Sequence, residues 1–264
     1  MSTLHQADNV AEGRFVTHDA FALDRFKRDL DTYGFVLIPD LISRPDAELA
    51  ASRVVQIMKQ QAQVDQADQH LSNILDFLDP SDYPLFARIL AHPVCVQVAE
   101  HVLGKGLQLT EPGARWKKPD AAAGPMHQTA PLAKFAEWDL PVPNNSFVLP
   151  FSWMLNDLTA DMGATAYVPF SHWAPRYGGP EDGGRYAVPV EGKAGSVVIY
   201  HQALWHRFVP NTSKDQARVG FMGGYCAEWV DPVGAGYHLM KKRIRDHMPE
   251  SIQLLNKRVD AEPD

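Results

Sequence analysis

Three residues in the second half of the chain could share one piece of chemistry: His127 in "GPMHQTA", His206 in "ALWHRFVPN" and Arg218 in "NTSKDQARVGF". Two imidazoles from separate strands, joined by a carboxylate two residues after the first, make the facial triad that holds a non-haem Fe(II) and leaves its opposite face open. The spacing has a physical reason, because residues i and i+2 of a strand face the same way. An Arg on the next strand, twelve residues after His206, could grip a ligand carboxylate through paired N–H donors. The carboxylate of the triad is missing: Thr129 stands two residues after His127. A neutral hydroxyl is a poor ligand for Fe(II) and leaves the site one negative charge short. Glu137 and Asp139 are the nearest downstream carboxylates, and no spacing argument recommends either.

Other constellations carry less. No G-x-S-x-G elbow supports a Ser–His–Asp hydrolase, and "GKAG" and "MGGY" are not phosphate loops. The chain has 11 histidines, so some fall near strands by chance. His172, after Ser171, reads as a turn residue; His201 precedes a bend and could face a pocket. Trp116, Met126, Phe135 and Trp153, with His201, are candidates to line a mostly apolar substrate pocket.

The elements that must position these residues divide the chain in two. Residues 1–18 are polar and read as loose; 19–104 read as mostly helical. "AFALDRFKRDLDTYG" places apolar residues at helical spacing and stops on Gly34. "FVLIPDL" reads as a short strand. In "SRPDAELAASRVVQIMKQQAQ", Ser43 can cap a helix and Pro45 suits its first turn. "LSNILDFL" and residues 83–104 continue the helical pattern, with Pro93 dividing the latter. From 105 to 231 short strands alternate with turn clusters, as in a sandwich or barrel. Residues 232–264 return to a helical pattern. One domain is expected, with a β core of two packed sheets.

Composition narrows the partners. The charge is −7 with 45% hydrophobic residues, and no Lys/Arg-rich run recommends nucleic acid or an anionic membrane. No apolar run is long enough to span a bilayer, and the first residues lack the regions of a secretory signal. Cys95 and Cys226 read as buried free thiols. A cytoplasmic protein acting on a small molecule is expected, with a homodimer or a heteromeric partner left open.

"MHQT", "LTADMGATAYVPFSH", "GSVVIYHQALWH" and "NTSKDQAR" together resemble the phytanoyl-CoA dioxygenase family of Fe(II)/2-oxoglutarate oxygenases, especially its natural-product tailoring members. The resemblance spans about residues 30–240 and rests on the order and spacing of the motifs. It implies a double-stranded β-helix, or jelly-roll, with flanking helices. It implies His127 and His206 as metal ligands, Arg218 as the anchor of the 2-oxoglutarate C5 carboxylate, and Thr165 as a further cosubstrate contact. Fe(II), 2-oxoglutarate and O2 would be the cofactors, and hydroxylation or a similar oxidation the reaction. Thr129, Gly124, Met162 and Phe170 depart from the family pattern. With Thr129 in the carboxylate position, a halogenase-like enzyme, a cofactor-free isomerase and a non-catalytic binding subunit stay open.

Overall fold

The computed structural model describes residues 20–61, 66–129, 145–173, 184–233 and 238–260. The expected loose start at 1–18 and the pocket candidate Phe135 lie outside these residues, as do Glu137 and Asp139.

The helices form where apolar side chains recur every three or four residues. Helix α1 (Ala20–Tyr33) buries Phe26 and Leu30, and α2 (Arg44–Gln61) buries Ala47, Ala50, Val54, Ile57 and Met58. Ser43 Oγ accepts a 3.2 Å bond from the Asp46 amide at the start of α2, the expected cap. Pro93 opens a new helix as expected, separating α3 (Tyr83–Leu90) from α4 (Pro93–Leu103). The region before α3 is tighter than expected, with two short 3₁₀ turns at Ile74–Phe77 and Pro80–Asp82. Among the described residues the tail holds two short helices, α5 (Lys242–Arg245) and α6 (Glu250–Leu255), with Pro249 between them.

Nine strands make two antiparallel sheets among the described residues. They are β1 (Phe35–Ile38), β2 (Asp68–Leu71), β3 (Gln108–Lys117), β4 (Val148–Met154), β5 (Thr165–Tyr167), β6 (Val188–Pro189), β7 (Val197–Tyr200), β8 (His206–Phe208) and β9 (Arg218–Cys226). The large sheet runs β1-β7-β4-β9-β3-β2 and the small one β6-β5-β8. This is a jelly-roll core with the helices on one side. Strand β2, at the edge of the large sheet, was not legible in its polar sequence "DQHL".

The large sheet carries two chemistries on its two faces. Its outer face presents Val36, Ile38, Ala114, Phe151, Trp153, Val197, Ile199, Val219 and Phe221 to the helices in one buried cluster. Tyr225 hydroxyl donates to the Leu90 carbonyl at 2.7 Å and ties β9 to α3. The inner face divides again. At the β1–β7 side Phe35, Leu37, Val198 and Tyr200 pack on the small sheet around Tyr167. At the β9–β3–β2 side the inward positions are Arg218, Lys117, Arg115 and Asp68, linked by strand register.

Gly195 shapes the turn into β7. Its φ is +93°, and a Cβ there would lie 2.3 Å from the Ile42 carbonyl oxygen. Its own carbonyl accepts the Leu41 amide at 2.9 Å, which sets the chain leaving β1 against the turn. Gly195→Ala should therefore cost at least about 1–3 kcal/mol of stability, read as a lower denaturant midpoint with an unchanged slope.

Candidate active site

His127 and His206 are brought together by backbone pairing. An isolated antiparallel bridge joins them. The His127 amide donates to the His206 carbonyl at 3.0 Å, and the His206 amide donates back at 2.9 Å. Residues directly opposite in such a pair project to the same side, and the two rings lie 4.3 Å apart between centroids. Each imidazole is also oriented by its own chain: His127 Nδ1 lies 2.9 Å from the Pro125 carbonyl, and His206 Nδ1 lies 2.9 Å from the Leu204 carbonyl. A carbonyl can only accept, so each Nδ1 carries the proton and each Nε2 keeps its lone pair. Metal-binding histidines are held this way by their outer nitrogen.

His206 is neutral at ordinary pH. Burial first, then the neighbouring His127, pushes its pKa down to about 3, with the Leu204 carbonyl opposing. Aromatic rings form the wall: Tyr200 lies edge-on at 4.8 Å and Tyr167 stacks at 5.9 Å.

Thr129 follows two residues after His127, its amide donating to the Gln202 carbonyl at 3.0 Å. Its Oγ1 is buried and has no hydrogen-bond partner of ordinary geometry. Burial pushes the Tyr200 phenol up to about 12, and the neighbouring Thr129 hydroxyl partly offsets this. Thr129 and Tyr200 also border a cavity of about 270 Å³. Among the described residues, no three His, Cys, Asp or Glu side chains group closely enough to hold a metal ion. Among the described residues, the side chains gathered here are two imidazoles beside a hydroxyl.

Arg218 stands at the start of β9, only 2% exposed. It donates to the Gly163 carbonyl at 2.9 Å and to Ser152 Oγ at 3.2 Å, and its guanidinium lies 4.6 Å over the Phe208 ring. Burial lowers its pKa to about 10, which leaves it charged. Thr165 pairs with Phe208 in register and so shares that inward face. Two more cations stand beside Arg218. Arg115 lies 4.1 Å from the Phe208 ring and makes two 2.7 Å bonds to Asp68. Lys117, fully buried, donates to the Ala122 carbonyl and sits 3.5 Å from Asp68. Burial works against the Asp68 carboxylate, yet Arg115 and Lys117 hold its pKa below the ordinary value.

Sequence reasoning missed Arg115, Lys117, Asp68, Phe208, Tyr167 and Tyr200. The signal for two of them was present in "GARWK", where Arg115 and Lys117 alternate with the outward Ala114 and Trp116. Trp116 and Trp153 do not line the pocket as expected. Alternation turns both to the helix-facing side, where Trp153 is 1% exposed against His92 and Trp116 packs on the same cluster. His201 is also elsewhere: its Nδ1 accepts the Ala203 amide at 3.1 Å, and its ring meets His172 in an outer groove of about 610 Å³ rimmed by Trp173 and Trp229. Met126 follows the opposite side of the strand from His127 and rests on Gly184.

This arrangement, a jelly-roll with an imidazole pair and a buried arginine between its sheets, defines a class that the comparisons name. The description "Phytanoyl-CoA dioxygenase (PhyH)" fits residues 22–220, and the chain belongs to that family. A relative from Aspergillus fumigatus, "Dioxygenase af480", is 24% identical over 233 residues, covering 86% of this chain and 74% of its own length. Among solved structures, the epimerase SnoN in complex with Fe3+, alpha ketoglutarate and nogalamycin RO has a TM-score of 0.61 at 17% identity, covering 79% of this chain and 85% of SnoN. HygX from Streptomyces hygroscopicus, with nickel and 2-oxoglutarate bound, has a TM-score of 0.60 at 15% identity, covering 83% and 90%. At these identities the structural likeness establishes the fold. No helix among the described residues is long and apolar enough to cross a membrane.

The His206 environment sets an acid limit for the metal-free protein. The folded pKa of about 3 lies below the ordinary 6.5, so the unfolded chain binds the proton more readily between these values. The contribution of His206 is complete above pH 6.5 and declines as pH falls toward 3, by up to about 1.4 kcal/mol per pH unit. Denaturant titrations across this range should show that slope, and His206→Asn should flatten it.

Proposed function

We propose that the chain is a non-haem Fe(II)/2-oxoglutarate-dependent oxygenase that oxidises a small organic molecule. The observation that carries this reading is the imidazole pair, with both Nδ1 atoms committed to backbone carbonyls and both Nε2 atoms free to coordinate. His127 and His206 would hold the iron, and Thr129, beside the Tyr200 phenol, would offer it a hydroxyl where a carboxylate is usual. When bound, iron with 2-oxoglutarate and O2 supplies the oxidising power, and the cosubstrate leaves as succinate and CO2.

The chain's own contribution is binding, orientation and exclusion of water. Arg218 would receive the distal carboxylate of 2-oxoglutarate, with Thr165 beside it. A buried cation without a facing carboxylate is costly, and a ligand carboxylate would offset that cost through charge-assisted bonds. Phe208 shields one face of the guanidinium. Tyr167 and Tyr200 enclose His206 and keep it in the neutral form that a metal needs.

A second reading is favoured by the same Thr129. With one negative charge fewer, the site could bind metal too weakly to work and serve as a cofactor-free isomerase or a binding subunit, or it could seat chloride as a halogenase does. The solved relatives also widen the expected chemistry, since SnoN and SnoK are described as an epimerase and a carbocyclase.

Anaerobic addition of Fe(II) and 2-oxoglutarate should produce the weak visible band of chelated 2-oxoglutarate. Arg218→Met should raise the Kd for 2-oxoglutarate about 10-fold or more, the loss of hydrogen bonds to a charged group. Thr129→Asp should tighten Fe(II) binding measured by calorimetry. A wild-type protein that shows no band and retains no metal by elemental analysis would sink the oxygenase reading; recovery of both in Thr129→Asp would assign it to the degenerate class.

A further inference from the structure

His70 is a polar group placed in the mouth of the jelly-roll that none of the steps above uses. It sits on β2 opposite Arg115, two residues after Asp68, and so on the inward face. Its seat depends on Gly113 at the irregular step in β3. A Cβ on Gly113 would lie 3.1 Å from His70 Nε2 and 2.9 Å from the Leu71 carbonyl oxygen. Among the described residues, the imidazole has no hydrogen-bond partner. The side chain is exposed, yet desolvation of the ring, then Arg115, holds its pKa below the ordinary value, and an imidazole can both donate and accept.

The cavity of about 270 Å³ extends from His70, Ser72 and Asn73 at one end to Thr129 and Tyr200 at the other, with Met222 between them in the lining. Its borders carry no Asp, Glu, Lys or Arg side chain among the described residues. Asn73 Oδ1 is buried without a partner, and Thr129 Oγ1 has only the neighbouring Tyr200 phenol beside it. Buried polar atoms of this kind are normally satisfied, and an unsatisfied one costs on the order of 1–3 kcal/mol. Neutral donors and acceptors at both ends suit a ligand with hydroxyl and carbonyl groups. They do not suit an apolar molecule, which would leave them unpaired, and among the described lining residues a charged one would meet only the imidazoles of His70 and His238.

We propose that this cavity takes a small, neutral, oxygen-bearing substrate, and that His70 determines its specificity by hydrogen-bonding an oxygen of the substrate remote from the imidazole pair. This replaces the expectation of a mostly apolar substrate. It rests on the oxygenase reading only for what happens at the Thr129 end.

Three six-membered-ring probes test it: 4-hydroxycyclohexanone, cyclohexanecarboxylate and cyclohexane, followed by ligand-observed NMR on the full chain with and without Ni(II) and 2-oxoglutarate. The neutral oxygenated probe should bind best. His70→Ala should weaken it about 2- to 10-fold, the worth of one neutral hydrogen bond, and His70→Gln should recover most of the loss. The other two probes should not respond to either variant. Tighter binding of cyclohexane or the carboxylate, no saturable binding of the oxygenated probe, or no response to His70→Ala would each overturn the proposal. The anaerobic Fe(II)/2-oxoglutarate band separates the two readings. It should keep its wild-type intensity in His70→Ala, and its absence from the wild type would count against the oxygenase while leaving the probe affinities to decide the role of His70.

Discussion

Arg218 is charged, 2% exposed and, among the described residues, faced by no carboxylate of its own. The nearest acid, Asp68, is engaged by both donors of Arg115 and by Lys117. Three cations and one carboxylate therefore share the inner face of β2, β3 and β9. Such an arrangement survives only because the outer face of the same strands carries a large apolar cluster that fixes them. The charged face is held in place by the hydrophobic one, and among the described residues it is short of negative charge.

That dependence explains why the two ends of the inner face differ. At β1 and β7 the sheets close on Phe35, Tyr167 and Tyr200, with Phe35 and Tyr167 stacked at 5.0 Å. There the sandwich is dry and the imidazole of His206 is pushed toward neutrality. At β9, β3 and β2 the sheets are held apart by long polar side chains around Phe208. The His127–His206 bridge stands between these regimes, next to dry walls on one side and anion-seeking cations on the other. A site that must keep imidazoles unprotonated and also attract a carboxylate needs both.

Much of this was legible before any coordinates. The order of His127, His206 and Arg218, the strands that carry His206 and Arg218 and the capped helix at Ser43 follow from local patterns; His127, expected on a strand, lies in an isolated bridge instead. What was not legible depended on pairing across distance. Strand β2 falls in the stretch read as mostly helical, because its partner, not its sequence, makes it a strand. Trp116 and Trp153 were misplaced because abundance of aromatics near a site says nothing about which face each occupies; the two-residue alternation of β3 and β4 decides it, and it turns both toward the helices. The same alternation, applied to Arg115 and Lys117, would have found the cation cluster.

Charge also bears on what Thr129 changes. In a site with the usual carboxylate, the metal meets a protein anion before any cosubstrate arrives. Here the described residues offer two imidazoles and a hydroxyl, with Arg115, Lys117 and Arg218 nearby and only Asp68 to oppose them. A divalent cation entering alone would add positive charge to a region already in excess of it. A dianionic 2-oxoglutarate would, on the oxygenase reading, reverse that, since one of its carboxylates would answer Arg218. On the oxygenase reading, metal and cosubstrate must then bind as a coupled pair, each raising the affinity of the other by the same factor. The loss of one carboxylate would thus not erase the site so much as transfer part of the metal's hold from the protein to the cosubstrate.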